Sequence, residues 1–465
     1  MRTLFFYLAL PFIAGIGVWR PFWSLAIYLS ANIIRPNALF WGGDTGMIVF
    51  KISIAGTLLG FFRSAESKIE PLTVREWWLA LWVCLAMTIS VLFADLPDAP
   101  RVWSYVGDFY RSLVVFWLIL GILRTKQQAI HLLDILLLMT MLLSLWGWQQ
   151  HFGGNPRLDD LGSLGETNTI ASFGALFMPL AVHKLFTAGK WWQKLFGLAS
   201  AVLIAGMIIF TDSRGGFLGL AAGCLYLLLI SRKRIWLGIC YFIVFLAVVP
   251  LLSGAYIARL NSIDNNNPEE EYSAGSRLVL WQAGWLIFRD NPIFGVGLLN
   301  FAKSKAPYRV QLAGKFDNGL LDYSFQSGKV GHSTWFGQTL PEGGLFLAIP
   351  LFCLIVSFFW RARRLQWGDR PPTEAMRPLH DTLIGLEAGL LGHIVSISFI
   401  DGLFLPFLTL HIMLGVQVIR ILASSSPIPT SPHENTLSVP AHSFPARSRR
   451  SHSGFSPNSA PRKNT

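Results

Sequence analysis

Six side chains in the middle and later parts of the chain have the chemistry to work on an anionic substrate: Arg214, Arg277, Tyr308, Arg309, His332 and Glu342. A guanidinium is a planar fork that donates two hydrogen bonds to a phosphate at once. A histidine is the side chain most easily poised as a base near neutral pH. Arg214 lies in Thr211-Asp-Ser-Arg-Gly-Gly216, where one apolar run ends and the next begins. An arginine there is costly unless it is paired or faces a polar cavity. Gly215 and Gly216 would let a ligand or a second backbone approach closely, and the helix start behind them adds positive potential for an anion. An interfacial arginine paired to Asp212 fits the same residues.

Arg277 follows Ser276 in a segment that runs to Asp290. The pattern predicts a helix capped by Ser276 and stopped by Asn291-Pro292. Leu278, Trp281, Trp285 and Phe288 cluster on one side, as in a helix lying in a membrane interface. Gly295-Val-Gly297 reads as a flexible turn before Asn300, and Pro307-Tyr-Arg309 puts a further guanidinium in the loop. His332 stands just before an apolar run, followed by Ser333 and Thr334, with Glu342 between Pro341 and Gly343-Gly344. A base is one reading of His332, and a plain interfacial residue is the other. The chain has no DxD-like metal motif in an outward loop, no GxSxG, no Walker loop and no HExxH. These absences argue against metal-dependent transfer, serine hydrolysis and ATPase activity, and no cofactor or metal is expected.

The elements that must position these groups are membrane helices. Of the 465 residues, 52% are hydrophobic and only 14% charged, against about 25% charged in soluble domains. The 18 Trp and 35 Phe suit lipid-facing helices with interfacial belts. Apolar runs near the length of a span are Leu4–Trp19, Phe22–Ile34, Met47–Phe62, Trp77–Phe93, Tyr105–Leu123, Ile130–Gln149, Thr169–Phe186, Trp191–Phe210, Gly215–Ile230, Ile235–Leu252, Thr334–Trp360, Leu383–Ile400 and Leu403–Leu422. Backbone groups in lipid must be bonded internally, so the fold class is all-α: a polytopic membrane protein. The first two runs are expected to make one net crossing as a broken or partly re-entrant element, giving about 12 transmembrane helices. The net charge of +12 is no nucleic-acid signal. Much of it sits in short loops such as Arg232-Lys-Arg234 and Arg361-Ala-Arg-Arg364, which the positive-inside rule assigns to the cytoplasm.

The alternation puts residues 253–333 outside, as one large periplasmic loop with short interfacial helices. The expected organisation is a transmembrane bundle over 1–252, the loop over 253–333 carrying the catalytic face, closing helices over 334–422, and a disordered basic tail over 423–465. The tail's arginines could touch anionic lipid or simply stay solvated. The four cysteines lie in apolar runs without paired spacing and read as packing residues.

Together these residues resemble the O-antigen ligase and polymerase superfamily of bacterial membrane glycosyltransferases. The marks, in order, are Gly165-Glu-Thr-Asn168 with Pro179, Ser213-Arg-Gly-Gly216, Arg277 with Trp281, Asn291-Pro-Ile-Phe-Gly-Val-Gly297, and His332 followed by Glu342-Gly-Gly. The opening, with Arg20-Pro21, Ile34-Arg-Pro36 and Trp41-Gly-Gly43, is similar to exosortase-associated O-glycosylation ligases. The resemblance implies a GT-C-like helical architecture in the bacterial inner membrane. It implies an inverting, metal-independent transfer of a glycan from a polyprenyl-diphosphate carrier to a hydroxyl of lipid A core, another glycan or a protein, on the periplasmic face. Arg214 and Arg277 would then hold the donor diphosphate, with Tyr308 and Arg309 as further binding residues. His332 would activate or orient the acceptor hydroxyl, and Glu342 would orient His332 or cap its helix. A polysaccharide polymerase is the alternative within the family. A small-anion transporter of bicarbonate type, or a structural subunit of an envelope complex, lies outside it. A transporter should show paired broken helices near mid-membrane, whereas the candidate groups here gather at one face.

Overall fold

A computed structural model describes residues 2–34, 45–63, 73–92, 99–162, 164–231, 233–239, 268–367, 373–402 and 406–424. Thirteen longer helices carry the described fold: α1 (Arg2–Trp19), α2 (Pro21–Ile34), α3 (Thr45–Arg63), α4 (Arg75–Leu92), α5 (Ala99–Ile122), α6 (Lys126–Phe152), α7 (Thr167–Thr187), α8 (Trp191–Ile209), α9 (Arg214–Ile230), α10 (Pro268–Asp290), α11 (Leu340–Trp367), α12 (Arg377–Ile397) and α13 (Pro406–Ser424). No strand occurs among the described residues. Among the described residues, seven stretches are long and apolar enough to cross a membrane: Arg75–Leu92, Arg101–Ile122, Lys126–Phe152, Thr167–Thr187, Trp191–Ile209, Thr334–Trp367 and Phe407–Ser424. Leu10–Trp19, Pro21–Ile34 and Arg214–Ile230 are apolar but shorter. The span expected at Ile235–Leu252 and the tail lie wholly or largely outside the described residues.

The opening folds back on itself as a helical hairpin. The chain reverses at Arg20, and α1 and α2 run along α3 in opposite directions. Leu10 and Ala31 pack with Val49 at one end, while Gly17 meets Gly56 and Ser24 Oγ donates to Ser53 O at 2.9 Å nearer the other. A Cβ on Gly60 would stand 2.2 Å from Gly17 O. Gly56-Thr-Leu-Leu-Gly60 is therefore a small-residue seam of the kind that lets membrane helices touch at the backbone. At the far end of α3, Arg63 sits over the Trp19 ring at 4.9 Å, which brings the tip of the α1–α2 hairpin and the C-terminus of α3 together.

The helix at the centre is α12, although it carries Asp381, Glu387 and His393 and is not among the seven most apolar spans. It packs on α7 and α9 through small residues. A Cβ on Gly389 would stand 2.0 Å from Leu176 O, and one on Gly219 of α9 would stand 2.5 Å from Gly392 O. With this much buried contact, apolar composition is not what places the helix. Its buried charge is paired: Glu387 receives Arg363 at 2.6 Å and Gln366 at 2.7 Å. Glu76 of α4 likewise receives Arg361 at 2.7 Å and the Ser357 hydroxyl. Buried pairs of this kind fix register more than they add stability; here they set the end of α11 against α4 and α12.

Between α10 and α11 the chain makes short helical turns at Phe301–Ser304, Ala306–Tyr308, Arg309–Leu312 and Asn318–Ser324. α10 begins earlier than expected, because Pro268 presets the backbone of a first helical residue. Ser276 is therefore a buried interior residue rather than a cap. Leu278 and Trp285 are exposed as expected of an interface helix, whereas Trp281 turns inward and packs on Phe336 and Phe399. Cys84 is buried and Cys224 and Cys353 are partly buried, in keeping with packing residues; Cys240 lies outside the described residues.

Candidate functional site

Four helix ends meet at one end of the bundle, and each is held by a local device. The turn from α8 to α9 is the first. Ser213 caps α9, accepting from Gly216 N at 3.1 Å, a contact of about 1 kcal/mol, and its hydroxyl donates to Asn168 Oδ1 at 2.7 Å. Asn168 lies in the first turn of α7, so α7 and α9 are tied where Arg214 emerges. Asp212 has φ 52°, the left-handed region that a non-glycine residue enters at a cost. Arg157 braces the turn from outside, donating from Nε to Thr211 O at 3.1 Å. Of the two close approaches expected at Gly215 and Gly216, a ligand or a second protein segment, the structure shows the second. A Cβ on Gly216 would meet Ala171 Cβ at 2.2 Å, and one on Gly215 would meet Phe399 Cβ at 3.2 Å.

The second device holds His332. Gly331 and Gly337 touch backbone to backbone, so that a Cβ on Gly331 would stand 2.1 Å from Gly337 Cα. His332 itself has φ 46°, a strained value of the kind that clusters at active sites. Ser333 then caps Thr334–Thr339, a π-helical turn whose wider pitch is common at functional sites. The Thr334 hydroxyl donates to Ile400 O at 3.1 Å and accepts from Gly402 N at 2.9 Å. Trp335 Nε1 donates to Ser398 Oγ at 2.9 Å. These three bonds bolt the turn after α12 to the segment after His332, and they bracket Asp401.

Asp401 is the site residue that sequence reasoning missed. Its Oδ2 lies 3.7 Å from His332 Nδ1, too long for a direct hydrogen bond but close enough for one to form with a small closure. The backbone N–H groups of Ser333 and His332 point at its carboxylate. Burial, opposed by those donors and assisted by the charge of Glu166, pushes the Asp401 carboxyl up to about 7. A carboxylate at the junction of two apolar runs, in Phe399-Ile-Asp-Gly402, could have been flagged by the rule that charges at membrane depth are functional.

α10 brings in Arg277. At Gly284 it presses on the π-turn so closely that a Cβ would stand 1.8 Å from Phe336 O, and Trp281, one turn after Arg277, packs on Phe336 and Phe399. Burial first and then the charge of Arg214 hold the Arg277 pKa below the usual value, with Asp401 pulling the other way. His332 is pushed down to about 4 by burial and by the charges of Arg277, Lys329 and Lys305. At neutral pH it is therefore an uncharged imidazole near the Arg277 guanidinium, which in turn feels the charge of Arg214, an arrangement suited to receive an anion.

The other expected residues stand apart from this cluster. Tyr308 is buried and donates to Asp290 Oδ2 at 2.9 Å, while Arg309 is half-exposed and pairs with Asp322. Neither is among the charges that shift His332 or Arg277. Glu342 is buried in a latch. Its Oε1 accepts from Phe301 N at 3.1 Å, and its carbonyl accepts from Gly297 N at 3.0 Å and from the Ser90 hydroxyl at 2.7 Å. Val296 N donates to Pro341 O at 2.9 Å, and Gly295 leaves no room for a Cβ against Glu342. The Gly295-Val-Gly297 turn is thus a pinned joint rather than a flexible one. Lys305 is a staple that sequence reasoning passed over: 1% exposed, its ammonium donates to the carbonyls of Ser324, Gln326 and Lys329 at 2.9, 3.1 and 2.7 Å. Burial pushes it down to about 8.

Two family matches bear on this arrangement. Residues 199–336 match the model of the family described as O-antigen ligase, a segment that contains Arg214, Arg277 and His332. Residues 1–155 match a family of unknown function (DUF5935). No curated protein matches the chain. The first match supports membership of the O-antigen ligase/polymerase superfamily, and with the apolar helices it supports a multi-pass membrane protein of envelope biosynthesis.

Proposed function

We propose that this chain, similar over residues 199–336 to the O-antigen ligase family, moves a glycan from a polyprenyl-diphosphate carrier to an acceptor hydroxyl at the periplasmic face of the inner membrane. The observation that carries this reading is the meeting of Arg214, Arg277, His332 and Asp401 at one end of the helical bundle. The acceptor oxygen attacks the anomeric carbon from the face opposite the diphosphate, the bond from that carbon to the diphosphate oxygen breaks, and its electron pair stays on the leaving group. Configuration inverts. The developing charge falls where Arg214 and Arg277 supply preplaced positive charge, with no step assigned to a metal. The acceptor proton passes to His332: Nδ1 faces Asp401, which leaves Nε2 for the hydroxyl, and Asp401 orients the ring and stabilises the imidazolium that forms. Diphosphate binding would offset the charge of Arg277, which holds the His332 pKa down, so the base strengthens once the donor is in place.

The test is glycan transfer by purified protein in lipid, without ATP, from a polyprenyl-diphosphate glycan to lipid A core, to a glycan chain or to protein. Growth of a glycan chain alone would make the enzyme a polymerase, and no transfer to any acceptor would remove the reading. The face is tested by cysteines near Asp159 and Lys315. An impermeant thiol reagent added from outside should label them, provided the outer membrane is permeabilised, while cysteines near Lys233 and Gln366 stay silent until the inner membrane is opened.

A further inference from the structure

α7, α8 and α12 each reach the arginine–histidine cluster with one end. Their other ends, with the first turn of α6, enclose a cavity of about 450 Å³. Three helices begin at its walls: α6 at Lys126, α8 at Trp191 and α12 at Arg377. The start of a helix carries about half a positive charge, and such ends receive anions. Side chains add to that field. Lys126, Lys184 and Lys190 line the cavity against one carboxylate, Asp134. Lys184 Nζ lies 2.5 Å from Asp134, so Lys126 and Lys190 are charge beyond neutrality. Lys126 Nζ donates to the Ala375 carbonyl and Lys190 stands 5.9 Å from the Trp192 ring; neither contact cancels a charge.

His183 points to a ligand independently. It lines the cavity and is only 3% exposed, yet no hydrogen bond ties its ring to any described residue. A buried polar ring without a partner costs free energy unless something in the cavity meets it.

The rest of the polar lining narrows the kind of anion. The Thr187 and Thr382 hydroxyls donate to His183 O and Pro378 O, both at 2.8 Å. What they hold out is therefore oxygen lone pairs, acceptors for hydroxyl protons. The amides of Gln127 and Gln193 can both donate and accept. No Phe, Tyr or Trp is among the lining residues, so nothing there stacks a nucleobase. A water takes about 30 Å³ of liquid, so the space has room for a body larger than a bare phosphate. The cavity is also turned away from lipid. At roughly 100° per residue, Lys190 and Gln193 stand about 140° around α8 from the exposed face of Trp191, Leu195, Leu198 and Val202.

We infer that this cavity binds a soluble phosphate monoester of a polyhydroxy compound, a sugar phosphate in chemical class. Its dianion sits between Lys126 and Lys190, and its hydroxyls meet Thr187, Thr382 and the two glutamines. A lipid headgroup ending in a phosphomonoester shares the anion, and inorganic phosphate shares it without the hydroxyls.

The test uses the full chain in phosphatidylcholine nanodiscs, with glucose 6-phosphate as the probe and isothermal titration calorimetry as the readout. Glucose 6-phosphate should bind one to one, inorganic phosphate more weakly and glucose not at all, with affinity falling as salt is raised. Lys190→Gln should weaken binding on the order of ten-fold, the weight of a hydrogen bond to a charged group. Lys126→Gln/Lys190→Gln should abolish it, and Lys126→Arg/Lys190→Arg should keep it. Arg277→Ala should bind the probe as wild type does, which separates this cavity from the site of the proposed transfer. Binding lost in Arg277→Ala and kept in the Gln pair would overturn the proposal by placing the anion at the other end. No binding of the probe, or inorganic phosphate or glucose binding as tightly as the probe, would also overturn it. So would displacement of the probe by phosphatidic acid added to the nanodiscs, which would give the cavity to a lipid. Should the Gln pair not fold, Lys190→Gln, at an exposed position, and the Arg pair still decide.

Discussion

Two groups of polar residues at the same end of the molecule look alike in sequence and differ in how their bonding is spent. In the segment between α10 and α11, Arg309 has Asp322, Tyr308 has Asp290 and Lys305 has three carbonyls. Around His332 the arrangement differs. Burial and the charge of Arg214 lower the Arg277 pKa, the imidazole is held uncharged, and a carboxylate stands 3.7 Å from it without closing a hydrogen bond. Groups that satisfy one another build a scaffold, whereas clustered titratable groups shifted by burial and by one another mark a candidate site. On this argument substitutions in the first group should cost stability and spare turnover, and those in the second should do the opposite.

The sharpest separation is expected at His332. His332→Ala should lower the single-turnover rate by about 10²–10⁴-fold, the usual weight of a general base, with donor binding nearly intact. Arg277→Ala should weaken donor binding and turnover together, because it loses a diphosphate partner in both ground and transition states. Donor affinity and single-turnover rate measured in lipid decide this. A His332→Ala protein that cannot bind donor makes the histidine a donor ligand instead.

Next in size is Arg214→Lys. Lysine keeps the charge and loses the fork, so turnover should fall more than ten-fold while insertion and expression stay normal. Arg289, exposed and 3.2 Å from Asp290, supplies the control: Arg289→Lys should change little. Equal small losses would remove the clamp.

A smaller effect belongs to Asp401. As a positioning residue it should cost on the order of ten-fold when changed to Asn, well below the loss at His332. The readout specific to it is pH. With its carboxyl pushed up to about 7, the carboxylate form is depleted as pH falls through that value, so wild-type kcat/KM should rise as pH increases through about 7. Asp401→Asn should be flat there. The His332 limb lies lower, toward 4 in the donor-free protein, so the two limbs are separable, and a limb near 7 that survives in Asp401→Asn would assign it to another group.

The helical, membrane-bound character was legible in composition, and the arginine–histidine trio was legible in residue type. What could not be read were the contacts that depend on distant segments meeting. Asp401 falls in the two-residue gap between the apolar runs Leu383–Ile400 and Leu403–Leu422, and its meaning comes from Thr334, some seventy positions away. Gly215 and Gly216 read as room for a ligand or for a second backbone, because the need for a glycine is visible in sequence but Ala171 and Phe399, which fill the space, are not. The same limit misplaced Gly295–Gly297, whose flexibility is cancelled by the backbone of Pro341 and Glu342. α12 was ranked as one span among many because hydropathy does not record that its glycines admit α7 and α9.

The smallest expected effect is the most exposed test of the comparison. Tyr308 and Arg309 match the kind of residue that binds a diphosphate, yet each is bonded to a carboxylate of its own segment. Tyr308→Phe removes one hydroxyl from a buried site and leaves Asp290, which is partly exposed, free to take water; the loss should be about 1 kcal/mol of stability. Arg309→Gln opens a surface pair of the kind worth about 0–1 kcal/mol. Donor affinity should change less than two-fold in either protein, with the thermal midpoint lowered slightly in the first and scarcely in the second. The reason to measure so small a change is that the rival outcome is large. A diphosphate that drew Arg309 away from Asp322 would make Arg309→Gln cost ten-fold or more in donor affinity, with no loss of stability. That result would show that an internally paired arginine can be a reserve ligand, and that the protein's internal bonding does not separate scaffold from machinery.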